Sequence, residues 1–141
     1  MNNDQDPEVP FRKSQKKVHK IIFIEDDVAL VRAYQNKFAM EGFEVDSAFD
    51  GLEAIQKLGL NDYDIVLLDL MLPKINGFDV LKQLRTSGWP AAQKPVIVFS
   101  NLGDASDISK SRALGANDYL VKANLSPNQV VEKIREHLKT T

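Results

Sequence analysis

The sequence predicts an α/β domain in which one parallel five-stranded sheet carries helices on both faces, a doubly wound (βα)5 three-layer sandwich. Three observations support this. Five short strand-like segments recur along the chain, four of them apolar runs that stop abruptly at a polar residue and one alternating, and each is followed by a segment of helical periodicity. Strands alternating with helices form βαβ units, and their right-handed crossovers distribute helices over both faces. The length agrees: 141 residues make about one domain.

The first run, Ile21–Ile24, ends at Glu25-Asp26-Asp27, and Asp27 is placed to cap a helix. Val28, Val31, Tyr34 and Phe38 then recur at helical spacing up to Gly42, a plausible C′ glycine. Residues 43–48 alternate like a half-buried strand, which predicts a position near the sheet's edge. Asp50-Gly51-Leu52-Glu53 reads as a capping box, with Ala54, Ile55 and Leu58 on the helix's inner face. Ile65–Leu68 is continuously apolar, as a central strand covered on both faces should be, and Asp69 ends it. Pro73 and Asn76-Gly77 mark a loop, after which Phe78, Val80, Leu81 and Leu84 define a helix that Ser87–Pro90 breaks. Val96–Phe99 is the fourth strand and ends at Ser100; Asp104–Asp107 opens a weaker helix. Tyr119–Val121 is the fifth strand and ends at Lys122. Ser126-Pro127-Asn128-Gln129 is a capping box with proline at the first helical position, and Val130, Val131, Ile134 and Leu138 line the last helix.

Composition narrows the function classes. The 43% hydrophobic and 27% charged fractions are globular values, and the net charge of -2 gives no global field for nucleic acid. With no cysteine, disulfides, thiolate catalysis, zinc fingers and iron–sulfur clusters are excluded. The short apolar runs are far below a signal or membrane-spanning length, so a cytoplasmic protein without membrane insertion is expected. Residues 1–19 read as a flexible tail before a domain at 20–141. Three acids and five bases make residues 1–20 about +2, which leaves about -4 for the rest.

A parallel sheet brings its strand ends to a common edge. Ligands bind there, beyond the carboxyl ends at the switch in strand order. Glu25, Asp26, Asp69, Ser100 and Lys122 should therefore converge. Crowded carboxylates repel one another, and a hard divalent cation with oxygen ligands relieves that repulsion. Magnesium suits such a site, because it takes one or two carboxylates, a phosphate oxygen and several waters. A carboxylate can also act as a nucleophile towards phosphorus, with Lys122 and Ser100 balancing charge on the transferred oxygens.

At these residues the chain resembles the receiver domain of two-component response regulators, over about Lys20 to Lys139. The resemblance rests on residues 22–27 (Ile-Phe-Ile-Glu-Asp-Asp), 50–54 (Asp-Gly-Leu-Glu-Ala), 69–77 (Asp-Leu-Met-Leu-Pro-Lys-Ile-Asn-Gly), 98–100 (Val-Phe-Ser) and 115–122 (Gly-Ala-Asn-Asp-Tyr-Leu-Val-Lys). It implies a flavodoxin-like fold with strand order 2-1-3-4-5, and phosphoryl transfer from the phosphohistidine of a histidine kinase, or through a histidine phosphotransfer protein. Asp69 matches the phosphoacceptor and Asp26 the direct magnesium ligand. Glu25 matches an outer ligand acting through water, and the backbone carbonyl of Met71 a further one. Lys122 matches the lysine that pairs with the phosphoryl group. Ser100 and Tyr119 match the hydroxyl and aromatic that move together as the switch. Such a domain acts as a signalling device rather than an enzyme on outside substrates, as a monomer or a weak phosphorylation-dependent dimer.

Two departures stand out. Receivers usually follow their lysine with proline across a cis bond. Here Ala123 stands, so the loop is either trans and reshaped or strained, with Asn124 and Pro127 available to rebuild the turn. Met71 and Leu102, two residues past Asp69 and Ser100, are apolar and cannot orient an attacking water, which predicts slow self-dephosphorylation. Met71 also argues against a haloacid-dehalogenase-type phosphatase, which has an acid at that place. With three residues after the last predicted helix, the expectation is a stand-alone receiver signalling to a protein partner without binding nucleic acid. The predicted contact face is the fourth helix, fifth strand and fifth helix, bearing Lys110, Arg112, Tyr119 and Glu132. The alternatives are a receiver excised from a larger regulator and a phosphorylation-independent scaffold.

Overall fold

The computed structural model describes residues 17–139. Most of the expected tail, residues 1–16, lies outside the described residues; at its end, Lys17 pairs with Asp64 at 2.7 Å. The strands are β1 (Lys20–Ile24), β2 (Glu44–Ala48), β3 (Ile65–Leu68), β4 (Val96–Ser100) and β5 (Asp118–Val121). The helices are α1 (Val28–Met40), α2 (Gly51–Leu60), α3 (Gly77–Thr86), α4 (Ala105–Ala113) and α5 (Pro127–Lys139). All strand pairs are parallel, and the order is β2-β1-β3-β4-β5. This is the flavodoxin-like sandwich, with its switch in strand order between β1 and β3.

Alternation along β1 divides the core. Ile21 and Phe23 face α1 and α5, where Tyr34, Phe38, Val131 and Ile134 are buried with them. Ile22 and Ile24 face the opposite layer, with Ala54 and Leu58 of α2 and Val80, Leu81 and Leu84 of α3. The first face is aromatic: Phe23 meets Tyr34 edge-on at 5.7 Å, and Tyr34 meets Phe99 edge-on at 5.5 Å. β1, β3 and β4 are buried almost throughout, whereas β2 is an edge strand whose first residue is exposed, as its alternation predicts.

The caps agree closely with the sequence. Asp27, Asp50, Asn76 and Asp104 each accept a backbone N–H at the start of α1, α2, α3 and α4. Ser126 and Gln129 form a reciprocal box at α5. The α2 box differs in one respect: Glu53 reaches past the cap and accepts the N–H of Phe49 at 2.7 Å. Arg85, near the end of α3, is half-buried and directs its N–H groups to the carbonyls of Ala92, Lys94 and Gly115 and to the side chain of Asn117. It thereby fastens the turn after α4 to the loop before β4. Among the described residues, no helix is long and apolar enough to cross a membrane.

Candidate functional site

The β3–α3 loop is shaped by two close backbone approaches. A Cβ at Gly77 would lie 2.2 Å from the Asp69 carbonyl oxygen, and one at Gly51 would lie 1.8 Å from the Ile75 carbonyl oxygen. Only glycine admits both contacts. The Gly77 N–H donates to the Leu70 carbonyl at 2.9 Å, which closes the loop onto the end of β3. Asp69 is thereby held at the strand's carboxyl end, 5% exposed, at the foot of an open cleft of ≈ 780 Å³.

The predicted residues converge on this cleft: Glu25, Asp26, Asp69, Met71, Ser100 and Lys122 all line it. The Lys122 ammonium sits between two carboxylates, 2.5 Å from Glu25 Oε1 and 3.1 Å from Asp69 Oδ2. Asp69 Oδ1 accepts the Met71 N–H at 3.2 Å, and Glu25 Oε2 accepts the Asp27 N–H at 3.1 Å. Asp26 is exposed at the mouth of the cleft.

Burial pushes the Glu25 carboxyl above its usual range, and Asp69's charge adds to this while Lys122 opposes it. For Lys122, burial favours the neutral amine, but the neighbouring Glu25 and Asp69 carboxylates outweigh it and raise its pKa. One ammonium thus faces three acids. Glu25 Oε1 is in ion-pair contact with Lys122 yet is a buried oxygen without a properly directed hydrogen bond. Glu25, Asp26 and Asp69 each present a carboxylate oxygen within 4.8 Å of the others. An incompletely satisfied oxygen in an all-oxygen donor set with surplus negative charge fits a hard divalent cation.

Ser100 is buried at the end of β4, and its Oγ accepts the Leu102 N–H at 3.2 Å. Tyr119 stands outside the cleft lining, and its hydroxyl donates to the Leu102 carbonyl, tying β5 to the loop after β4. Burial, reinforced by Asp107 and Asp104, raises the Tyr119 phenol's pKa.

Beyond Val121 the chain makes a 3-10 turn, Lys122–Asn124, and no peptide bond among the described residues is cis. The departure at Ala123 therefore takes the trans, reshaped form. Asn124 lies within the turn, whereas Pro127 opens α5.

Two neighbours escaped the sequence reading. Asn101 lines the cleft and accepts the Ala123 N–H at 3.2 Å. Phe78, also in the lining, carries the Lys110 ammonium 4.2 Å from its ring centroid. A polar residue directly after Ser100 was the sole signal for the first; the second depends on how α3 and α4 pack.

Comparison with known proteins agrees with this geometry. Residues 21–135 match the family described as response regulator receiver domain. A probable transcriptional regulator ycf27 of Cyanophora paradoxa is 35% identical over 122 residues, 86% of this chain and 49% of that protein. The chain spans about half the length of the curated relatives it matches. Among solved structures, a CheY-like receiver domain protein of Methanospirillum hungatei superposes with a TM-score of 0.81 at 24% identity, covering 88% of this chain and 96% of that one; this likeness speaks to the fold. The phosphorylated cyanobacterial phytochrome response regulator RcpA gives 0.77 at 34% identity, covering 89% and 97%. By sequence and by fold, the chain belongs to the response regulator receiver domain family.

Proposed function

We propose that Asp69 accepts a phosphoryl group from the phosphohistidine of a histidine kinase or histidine phosphotransfer protein, and that this cytoplasmic domain passes the signal on by protein contact. The observation that carries the reading is Lys122, held 3.1 Å from a nearly buried Asp69 whose cleft opens to an incoming group. An Asp69 carboxylate oxygen attacks phosphorus and the P–N bond breaks. The imidazole nitrogen retains the bonding pair and takes a proton from solvent. Lys122 balances charge on the transferred oxygens, and the Ser100 hydroxyl is the donor on the facing strand end. Asp26 and Asp69 would hold magnesium directly, with the Met71 carbonyl, while Glu25 acts through water. Bound magnesium supplies charge neutralisation and orientation for the phosphoryl oxygens.

The switch depends on the Tyr119–Leu102 hydrogen bond. Displacement of Ser100 towards a phosphoryl group moves Leu102, two residues on, and so changes the acceptor that holds Tyr119. The surface proposed to meet the downstream partner carries Tyr119, Arg112 and Glu132; Lys110, expected there as well, instead turns its ammonium onto Phe78 of α3. A monomer, or a dimer formed weakly on phosphorylation, suffices for this.

Incubation with magnesium and a small phosphodonor, read by intact mass, tests the assignment. One added phosphoryl group on the wild type and none on Asp69→Asn is the expected result. No gain, or equal gain in both, overturns it in favour of a phosphorylation-independent scaffold.

A further inference from the structure

We infer that Asn101 is a positioning residue: by accepting the Ala123 N–H, its side-chain oxygen ties the loop that begins after Ser100 to the turn that carries Lys122. The inference rests on the acceptor reading of Asp69 and extends it to two residues with no role in that reading.

Ladder pairing of β4 with β5 ends at Ser100 opposite Val121. Beyond this pair the two chains leave the sheet, one as the loop after Ser100 and the other as the 3-10 turn Lys122–Asn124. The first N–H groups of such a turn have no acceptor inside it and need one from elsewhere. Ala123 has such a group, and Asn101 Oδ1 takes it at 3.2 Å. The other link described between these segments, Tyr119 to the Leu102 carbonyl, starts within β5 and bypasses the turn. The Asn101–Ala123 bond instead runs from the neighbour of Ser100 to the neighbour of Lys122.

Its chemistry depends on both residues. A proline at 123 has no N–H to donate, and an apolar residue at 101 has no oxygen to accept. Asn101 and Ala123 therefore act as a matched pair that fixes the start of the turn. The Lys122 ammonium must reach Glu25 and Asp69 together, at 2.5 and 3.1 Å. Slack in the turn would broaden the distribution of both distances. Through the same bond, displacement of Ser100 reaches the backbone beside Lys122, so that hydroxyl and ammonium move in concert.

A double-mutant cycle on the full chain tests this, with Asp69 phosphorylation by a small phosphodonor as the readout. Asn101→Ala is expected to slow phosphorylation about 3- to 10-fold, the range one neutral hydrogen bond supports. In the Ala123→Pro background, where the donor is gone, the same substitution is expected to change the rate no further. In Asn101→Ala the Ala123 amide proton should shift upfield in the NMR spectrum while the thermal midpoint falls by no more than a few degrees. A wild-type rate in Asn101→Ala, or equal slowing in both backgrounds, overturns the tether. If wild type takes no phosphoryl group, the acceptor reading fails, and an Ala123 amide unmoved by Asn101→Ala then overturns the tether independently.

Discussion

Gly77→Ala adds a methyl group at the first residue of α3, where two effects oppose each other. Alanine is the better helix former by up to about 1 kcal/mol. Against that, the new Cβ would lie 2.2 Å from the Asp69 carbonyl oxygen, 2.6 Å from Leu70 Cα and 3.0 Å from the Asp69 carbonyl carbon. Ordinary contacts lie near 3.5 Å, so the segment behind Asp69 must retreat by about 1 Å. All three atoms are backbone, and rotamer adjustment cannot absorb the clash. Overpacking of this kind costs about 1–3 kcal/mol, which outweighs the helical gain. The same retreat displaces the acceptor from Lys122, and misplacement by about 1 Å can lower a rate about 10²-fold. Urea unfolding should show a lower midpoint at unchanged slope, with phosphorylation slowed far more than in Gly88→Ala. That control meets nothing within 4 Å. A Gly77→Ala protein with the wild-type midpoint and rate would refute the packing argument.

Magnesium at about 100 times its dissociation constant should stabilise the wild type by about 2.7 kcal/mol, seen as a raised thermal midpoint. Asp26→Asn should lose most of that gain; equal stabilisation of the variant would remove Asp26 from the ligand set. Asp46 is held below the ordinary carboxyl value of 3.8: burial works against this, but the Tyr63 hydroxyl and Lys57 outweigh it. Because its folded pKa is depressed, its contribution is full above the unfolded pKa and is lost as pH falls through the folded one. Asp46→Asn should therefore cost about 1 kcal/mol at neutral pH, with the difference closing below pH 3.8 in urea titrations. The phosphorylated protein should persist for minutes or longer by mass, because Met71 and Leu102 offer no group to orient water; loss within seconds would contradict this. Met71→Asn should shorten the lifetime.

The pattern of strands ending at acids, a hydroxyl and an amine was readable because a parallel sheet aligns its strand ends whatever the loops do. The runs Ile65–Leu68 and Val96–Phe99 show buried central strands directly, and the alternation over residues 43–48 marks the edge strand. Caps such as Asp27 and Ser126 were legible for the same reason, since each acts within four residues of itself. What periodicity does not encode is contact between separate elements or the close turns of a loop. Gly77 beneath Asp69 is such a turn, and Asn101 opposite Ala123 and Lys110 over Phe78 join segments distant in sequence. The 3-10 turn at Lys122 belongs with them. Sequence alone left its bond geometry open, and the acceptor that serves it comes from another loop.

Arg85 gives the molecule a mechanical asymmetry. Its guanidinium grips the Gly115 carbonyl and the Asn117 side chain, just beyond the C-terminal end of α4. The other end of α4 is joined to the loop that starts at Ser100. A helix of nine residues is about 13 Å long, and Arg85 holds only the segment beyond its C-terminal end. Under the proposed switch, displacement of Ser100 would therefore swing α4 about its held end rather than slide it along the sheet. Lys110 stands nearer the held end, with its ammonium against Phe78 in the cleft wall, so such a swing would carry back to the cleft that starts it.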